Sequence, residues 1–255
     1  MNVSKIIKWS LLTCLIFNVF SAYADGIPSN TNKWTGAVSA GLTLTRGNSQ
    51  TTLASLTAAA DYKTPKDEWS MGADAIYGDA RVTVSGVPQN TTTAQSADGF
   101  VQYNRLFSDR FYALARLDGL HDDIADIHYR TTLSPGVGYY FIKNKTVDFS
   151  GELGPGYVSE SLGSQHLNFA TMRVAEKFHL QLSDRARLWE SAQITPDLEY
   201  IKRYIITFEI GVEADLNAKK NLTLQCYLDD NYNSIPAPGN VSNDLKLVMA
   251  LAYKF

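Results

Sequence analysis

Hydrophobic and polar residues alternate along most of this chain with a period of two, which is the pattern of β-strands that have one apolar face. The C-terminal residues show the pattern most clearly. There, one set of positions is Leu247, Met249, Leu251, Tyr253 and Phe255, and the other is Val248, Ala250, Ala252 and Lys254. We expect the first set to face lipid and the second to face a barrel interior, because transmembrane β-barrels alternate in this way.

The same alternation recurs in twelve stretches, near residues 34–46, 50–63, 68–79, 95–107, 110–120, 127–142, 146–159, 168–182, 186–196, 202–215, 221–230 and 243–255. An even number of strands returns the C-terminus to the side of the membrane where the barrel began. The pattern therefore predicts an all-β fold, an antiparallel up-and-down transmembrane β-barrel of 12 strands.

The connections between these stretches alternate in length. Short ones, expected on the periplasmic side, are 64–67, 108–109, 144–145, 183–185 and 217–220. Longer ones, expected to face outward, are 80–94, 121–126, 160–167, 197–201 and 231–242. Residues 47–49 break the rule, because this Gly-Asn-Ser segment has the residues of a tight hairpin at a position where a longer outer loop is expected. A strand register or strand count that differs by one hairpin is therefore an alternative.

Charged side chains on the predicted strands fall mostly on the inward face. They are Arg116, Asp118, Arg130, Glu152, Arg173, Glu209, Glu213, Asp229 and Lys246. A charge that faces lipid near the midplane costs ~2–4 kcal/mol, which favours this assignment. Glu176 and Glu190 depart from it, because they share a face with apolar residues; a bulge, an interfacial position or a register error would explain either one.

Aromatic residues near the ends of the predicted strands are expected to form girdles at the two membrane interfaces, where amphipathic rings are favoured. These residues are Trp34, Tyr62, Trp69, Tyr103, Trp189, Tyr200 and Tyr204. Glycines at 136, 138, 151, 154 and 156 lack the lysine and helix start of a phosphate-binding loop, so we interpret them as sites of strand coiling or close approach.

The N-terminal residues have the organisation of a secretory signal. Lys5 and Lys8 precede an apolar run over 9–20, which is too short to span a membrane as a helix, and the small-residue site Ala22-Tyr23-Ala24 follows. We predict a signal peptide over 1–24 and a barrel domain over 25–255, exported to the cell outer membrane.

Charge and cysteine content limit the possible partners. Without residues 1–24 the chain carries 21 basic and 26 acidic residues, a net charge of about −5, so no basic field favours nucleic acid. Only Cys226 remains beyond the signal, which excludes an internal disulfide, and its apolar neighbours favour a lipid-facing position.

Four segments together resemble the YdiY-like family of outer-membrane proteins, a domain-of-unknown-function group that is often labelled salt-induced. They are WTGAVSAGLTLTRGNSQTT at 34–52, RFYALARLDGLHDDIADIHYRTTLSPGVGYYF at 110–141, GPGYVSE at 154–160 and PAPGNVSNDLKLVMALAYKF at 236–255. The resemblance implies an outer-membrane barrel with a link to salt or osmotic stress. It supplies no substrate and no catalytic residue.

The histidines and nearby carboxylates allow two kinds of site, a metal site and a lipid-hydrolase site. Asp126, His128 and Arg130 are spaced two apart beside His121, Asp122 and Asp123, so the group could bind a metal ion or form a surface charge cluster. An outer-membrane lipid hydrolase would need a histidine from His121, His128, His166 or His179 next to a nucleophile, and no serine-histidine motif marks one.

The functional prediction depends on the interior. Mixed inward charges with an acidic surplus favour a narrow, weakly cation-preferring channel for ions or small hydrophilic solutes, and the alternative is a closed structural barrel whose charges pair internally. Neither needs a cofactor or a metal. Expected partners are outer-membrane lipid, including lipopolysaccharide, and the barrel-assembly machinery. The C-terminal signal that we expect this machinery to recognise consists of Leu247, Met249, Leu251, Tyr253 and Phe255.

Overall fold

The computed structural model describes residues 32–45, 50–84 and 87–255. They form one closed antiparallel sheet in which each strand pairs with its sequence neighbours and the first strand pairs with the last. The strands are β1 (Trp34–Thr45), β2 (Gln50–Lys63), β3 (Asp67–Val84), β4 (Val87–Leu106), β5 (Phe111–Asp122), β6 (Ile127–Lys143), β7 (Val147–Leu162), β8 (Gln165–Ser183), β9 (Ala186–Pro196), β10 (Tyr204–Asp215), β11 (Leu222–Asn233) and β12 (Asn243–Lys254). The predicted 12-strand barrel is confirmed.

The predicted signal peptide over 1–24 and the exceptional turn over 47–49 lie outside the described residues. Within the described ranges, none of the secondary structure is a helix of the length and apolar character needed to cross a membrane.

The two ends of the barrel differ in their connections. We call one the turn end; it carries both chain termini of the barrel and the connections 64–66, 107–110, 144–146, 184–185 and 216–221. The other is the loop end, which includes the connections 123–126, 197–203 and 234–242. The predicted alternation of lengths is only partly confirmed. Residues 160–167 were expected to form an outer loop, but β7 continues to Leu162 and β8 begins at Gln165.

The outward face of the sheet is apolar and the inward face is polar or small. On β12, Met249 is 61% exposed and Leu247 63%, whereas the intervening Val248 and Ala250 are buried. Exposed large hydrophobic side chains also occur on the other strands, which is the surface expected for a barrel that contacts lipid.

The hairpin of β3 and β4 is longer than predicted. Residues 80–94 were expected to form an outer loop, but β3 continues to Val84 and β4 begins at Val87. A register shift between Gly78 and Asp79 lets the ladder continue, and valine and threonine, which are favoured in strands, are frequent beyond it.

The barrel closes between β1 and β12 over a short ladder, from Ala37 opposite Lys254 to Gly41 opposite Ala250. Gly36 and Phe255 extend this closure with two backbone hydrogen bonds of 3.0 and 2.9 Å. The ring of Phe255 covers Gly36 so closely that a Cβ at Gly36 would lie 2.7 Å from it. The terminal aromatic residue is therefore part of the closing contact.

Interior aromatic rings lie flat on glycines of neighbouring strands. Tyr112 covers Gly138, and a Cβ placed on Gly138 would collide with the Tyr112 ring. Phe100 covers Gly72 in the same way, with 2.7 Å to a Cβ built there. Without a side chain, these glycines let the rings pack directly on the backbone of the sheet. This agrees with the interpretation of strand glycines as sites of close approach.

Candidate functional site

A polar network crosses the barrel interior at Glu152 of β7. Its carboxylate accepts hydrogen bonds from Gln102 Nε2 at 2.8 Å and Tyr112 OH at 3.1 Å, and it pairs with Arg173 Nη1 at 2.7 Å and Lys177 Nζ at 3.4 Å. Gln102 lies on β4, which is not adjacent to β7, so this bond spans the interior.

Arg116 completes what we call the Glu152 network, defined as Gln102, Tyr112, Arg116, Glu152, Arg173 and Lys177. The Arg116 Nη1 donates to Gln102 Oε1 at 3.2 Å, and its guanidinium lies 3.9 Å from the centre of the Phe100 ring. Gln102 and Tyr112 are each 1% exposed, so this side of the interior is filled.

A second crossing lies nearer the turn end. Glu68 on β3 accepts a 2.7 Å hydrogen bond from Tyr140 OH on β6 and lies 3.4 Å from Lys143 Nζ. Asn104 on β4 donates to the same carboxylate at 3.4 Å. The Tyr112 and Tyr140 rings pack with centroids 5.1 Å apart, which joins this crossing to the Glu152 network.

Four other inward carboxylates form what we call the carboxylate cluster: Asp74, Asp98, Glu209 and Asp229. Asp74 lies directly opposite Asp98 on the β3–β4 ladder, and Glu209 lies directly opposite Asp229 on the β10–β11 ladder. Three strands, β12, β1 and β2, separate β11 from β3 around the ring, so the two pairs lie on different parts of the wall and face the same interior.

Neutral donors, rather than bases, contact the carboxylate cluster. Asp74 accepts from Thr57 Oγ1 at 2.6 Å, and Glu209 accepts from Trp189 Nε1 at 2.5 Å. Lys246 stands opposite Asp229 on β12, yet its Nζ pairs with Asp244 at 3.3 Å. Among the described residues, no basic group lies within ion-pair distance of the four carboxylates.

The structure distributes the predicted inward charges among three environments. Glu152 and Arg173 join Arg116 in the Glu152 network, and Glu209 and Asp229 join Lys246 around the carboxylate cluster. The remaining three form other ion pairs: Asp118 with Arg116 of the network at 2.7 Å, Arg130 with Glu160 at 2.6 Å, and Glu213 with Lys254 at 2.8 Å and Arg187 at 3.0 Å.

Asp74 and Asp98 were not among the predicted site residues. The alternation of residues predicts that Asp74 faces inward, because it lies between Ala73 and Ala75 on a strand whose other face carries Trp69 and Met71. What the sequence did not show is that β3 and β4 face β10 and β11 across the interior, since that depends on the closed ring.

The candidate metal group is separated in the structure. His121 Nε2 pairs with Asp123 at 3.1 Å, and His128 Nε2 lies 3.8 Å from Asp126. A register shift between Ile127 and Tyr129 leaves His128 exposed, although its two-residue spacing from the inward Arg130 predicts that both face the interior. In the described part of the chain no three metal-ligating side chains come together.

Histidines considered for hydrolase chemistry have other contacts. His121 Nδ1 lies 2.8 Å from the His128 carbonyl oxygen, and the His166 ring stacks 6.4 Å from the Tyr129 ring. Within the described ranges, neither imidazole is hydrogen-bonded to a serine or threonine hydroxyl.

Trp189 is not a girdle residue, contrary to the prediction. Its indole lies inside the barrel over Gly211, where a Cβ would collide with the ring, and its Nε1 donates to Glu209. Trp34 and Trp69, by contrast, are 50% and 38% exposed on the outward face near the turn end and pack on Tyr62 and Tyr103.

Comparison with solved structures shows the same kind of fold at very low sequence identity. The NanC porin in a rhombohedral crystal form is 6% identical, with a TM-score of 0.52 over 86% of this chain and 98% of that chain. The COG4313 outer membrane channel from Pseudomonas putida F1 is 11% identical, with a TM-score of 0.48 over 93% of this chain and 100% of that one. None of the curated proteins compared with the chain matches it.

Residues 38–255 match the family described as protein of unknown function, DUF481. The match covers nearly all of the barrel, from β1 to the terminal Phe255. The chain therefore belongs to the DUF481 family.

Proposed function

We propose that this protein is an outer-membrane channel of narrow bore that prefers cations and admits ions or small hydrophilic solutes. The observation that carries the proposal is the carboxylate cluster, in which four carboxylates, Asp74, Asp98, Glu209 and Asp229, face the same interior. The neighbouring base, Lys246, has its ion pair with Asp244, and none of the four has a base within ion-pair distance among the described residues.

Such a cluster is costly in a dry interior. Like charges directly opposite each other on a ladder are destabilising, and an unpaired buried carboxylate carries a large desolvation penalty. A water-filled passage lowers both costs by hydration and screening. Carboxylate rings of this kind attract cations and repel anions, which gives the passage its preference.

The narrow bore of the proposed channel follows from the number of strands and from the side chains that fill part of the interior. Barrels of about eight strands are filled by side chains, whereas about sixteen leave a wide aqueous channel, so twelve strands leave intermediate space. The Glu152 network occupies the side formed by β4 to β8, and the passage lies beside it, between β3, β4, β10 and β11.

Membrane position and partners belong to the same proposal. The apolar outward face supports insertion into lipid, and the likeness in fold to a porin supports the outer membrane. We infer contact with outer-membrane lipid and lipopolysaccharide, and delivery by the barrel-assembly machinery through the C-terminal strand. A role under salt or osmotic stress follows from the family resemblance given above.

Single-channel conductance of the refolded mature chain in a planar bilayer tests the proposal. We expect discrete steps and, under a KCl gradient, a reversal potential of the sign for cation preference. The quadruple neutralisation D74N/D98N/E209Q/D229N should abolish that preference while preserving the steps. Asp109→Asn in an exposed turn is the matched control and should leave the reversal potential unchanged. A folded wild type without conductance would contradict the channel.

A closed structural barrel is the second candidate, and the Glu152 network is the observation that favours it. The network ties β4 to β7 and β8 by hydrogen bonds across the interior, which stiffens the barrel independently of any transport. A silent bilayer together with loss of envelope resistance to salt in a deletion strain would support this second function over the first.

A further inference from the structure

An apolar groove of about 590 Å³ runs across the outward face of the barrel from β5 to β10. Outward side chains that border it are Phe141, Phe149, Leu153, Val174, Ile194 and Ile206. Small residues form its floor, because Gly151 and Ala192 leave no large side chain there. Its volume is within the ~300–1,000 Å³ of sites that hold small organic ligands.

A carboxylate projects into this apolar groove. Glu176 is one of its lining residues, and it pairs on the ladder with Gly151 on one side and Ala192 on the other. Glu190 lies diagonally next to it, opposite Phe178, and the two carboxylates interact. The β8–β9 register is unbroken from Val174 to Gln181, so neither a bulge nor a register error turns these side chains inward.

The depth of Glu176 makes its charge unusual. Apolar outward residues continue along β8 on both sides of it, with Val174 towards the loop end and Phe178 and Leu182 towards the turn end. Within the described residues, neither Glu176 nor Glu190 has a hydrogen-bond or ion-pair partner. Lipid tails offer no donor at this depth, and ionisable groups in such positions mark functional sites.

We propose that the groove binds a hydrophobic cation, that is, an apolar chain or ring body carrying an ammonium group. The body fills the groove between the rung of Phe149 and Phe178 and the rung of Leu153, Val174 and Ile194. The ammonium pairs with Glu176 and Glu190. Charge complementarity selects this occupant, because the outward face here presents Glu176 in the groove and Glu190 beside it, and no basic side chain is among the groove residues. This site lies outside the barrel, so it stands independently of the proposed channel.

Photoaffinity labelling of the mature barrel in nanodiscs tests the site. The probe is a long-chain primary alkylamine that carries a diazirine, and the comparison is the alcohol of the same chain. We expect the amine to label peptides of β7, β8 and β9 with an enrichment of roughly tenfold over the alcohol, as ~1.4 kcal/mol of ion-pair preference gives. Equal labelling by the two probes would overturn the proposal.

Variants separate the carboxylates from the groove. E176Q/E190Q should remove the enrichment, whereas Asp230→Asn, which neutralises an acid on the outward face of β11 away from the groove, should preserve it. Ala192→Trp should fill the groove and remove labelling with both carboxylates intact, while Ala73→Trp on the outward face of β3 should not. Retained enrichment in E176Q/E190Q, or cross-links to a second copy of the chain in place of the probe, would refute the assignment.

Discussion

Removal of the Glu152 carboxylate is the sharpest test of how the interior is held together. Its side chain is 1% exposed and that of its partner Arg173 is 3% exposed. Truncation in Glu152→Ala leaves the Arg173 guanidinium buried with Gln193 Oε1, at 2.6 Å, as its remaining acceptor. Gln102 and Tyr112 lose an acceptor as well.

The expected loss of unfolding free energy is ~3–5 kcal/mol, which is the cost of breaking a buried ion pair by removing one partner. The lower part of this range applies here, because Lys177, the second base that pairs with Glu152, is 30% exposed. The double variant E152L/R173M should recover part of this loss, since it also removes the buried unpaired guanidinium. Recovery is partial because Gln102, Tyr112 and Lys177 still lose their contact with Glu152.

Urea titration of the barrel folded in lipid vesicles measures these differences, with tryptophan fluorescence and heat-modifiable gel mobility as readouts. Arg105→Ala is the control, because the Asp67–Arg105 pair at the turn end is 32% and 46% exposed and exposed pairs contribute little to stability. The reasoning fails if Glu152→Ala costs no more than Arg105→Ala, or if the double variant is as unstable as the single one.

Three further measurements test the glycine–aromatic packing inside the barrel, the lipid-facing surface and the proposed channel. Gly138→Ala should lose ~1–3 kcal/mol in the same titration because its Cβ would collide with the Tyr112 ring, whereas Gly119→Ala, with open space at its Cβ, should be near neutral. Met249→Arg places a charge against lipid and should lose ~2–4 kcal/mol, while Gln225→Arg on the inward face beside β10 should still give the folded gel band. Cation preference in the bilayer should fall as KCl rises from ~0.1 to ~1 M, because the Debye length shrinks from ~10 to ~3 Å; a preference independent of salt would place its origin outside the carboxylate cluster.

Alternation alone was sufficient for the strands and for most inward charges. Each strand has a fixed two-residue period and one face that must suit lipid, so Glu209 or Met249 could be assigned without knowing any neighbour. The same rule also placed Glu176 and Glu190 outward, and the high cost of charge in lipid was the reason to doubt it. In the structure the two-residue period holds, and both carboxylates lie on the outward face.

Contacts across the interior could not be predicted from local pattern. Gln102 and Glu152 are 50 positions apart, and their bond depends on ring closure and on the curvature of the wall. His128 was misplaced because one extra residue at the Ile127–Tyr129 shift reverses the alternation. Trp189 was misplaced because an amphipathic ring suits both an interface and a carboxylate-lined interior.

The short closure between β1 and β12 has a consequence for how the molecule is made. Every other ladder joins neighbours in sequence, so it can form soon after its second strand enters the membrane. The β1–β12 ladder joins positions that lie at the two extremes of the barrel sequence, and it includes the last residue. Its loop-closure entropy is the largest in the fold, and few contacts offset it. A chain that ends before β12 lacks the native partner of β1, so β1 and the last strand present each keep an unpaired edge.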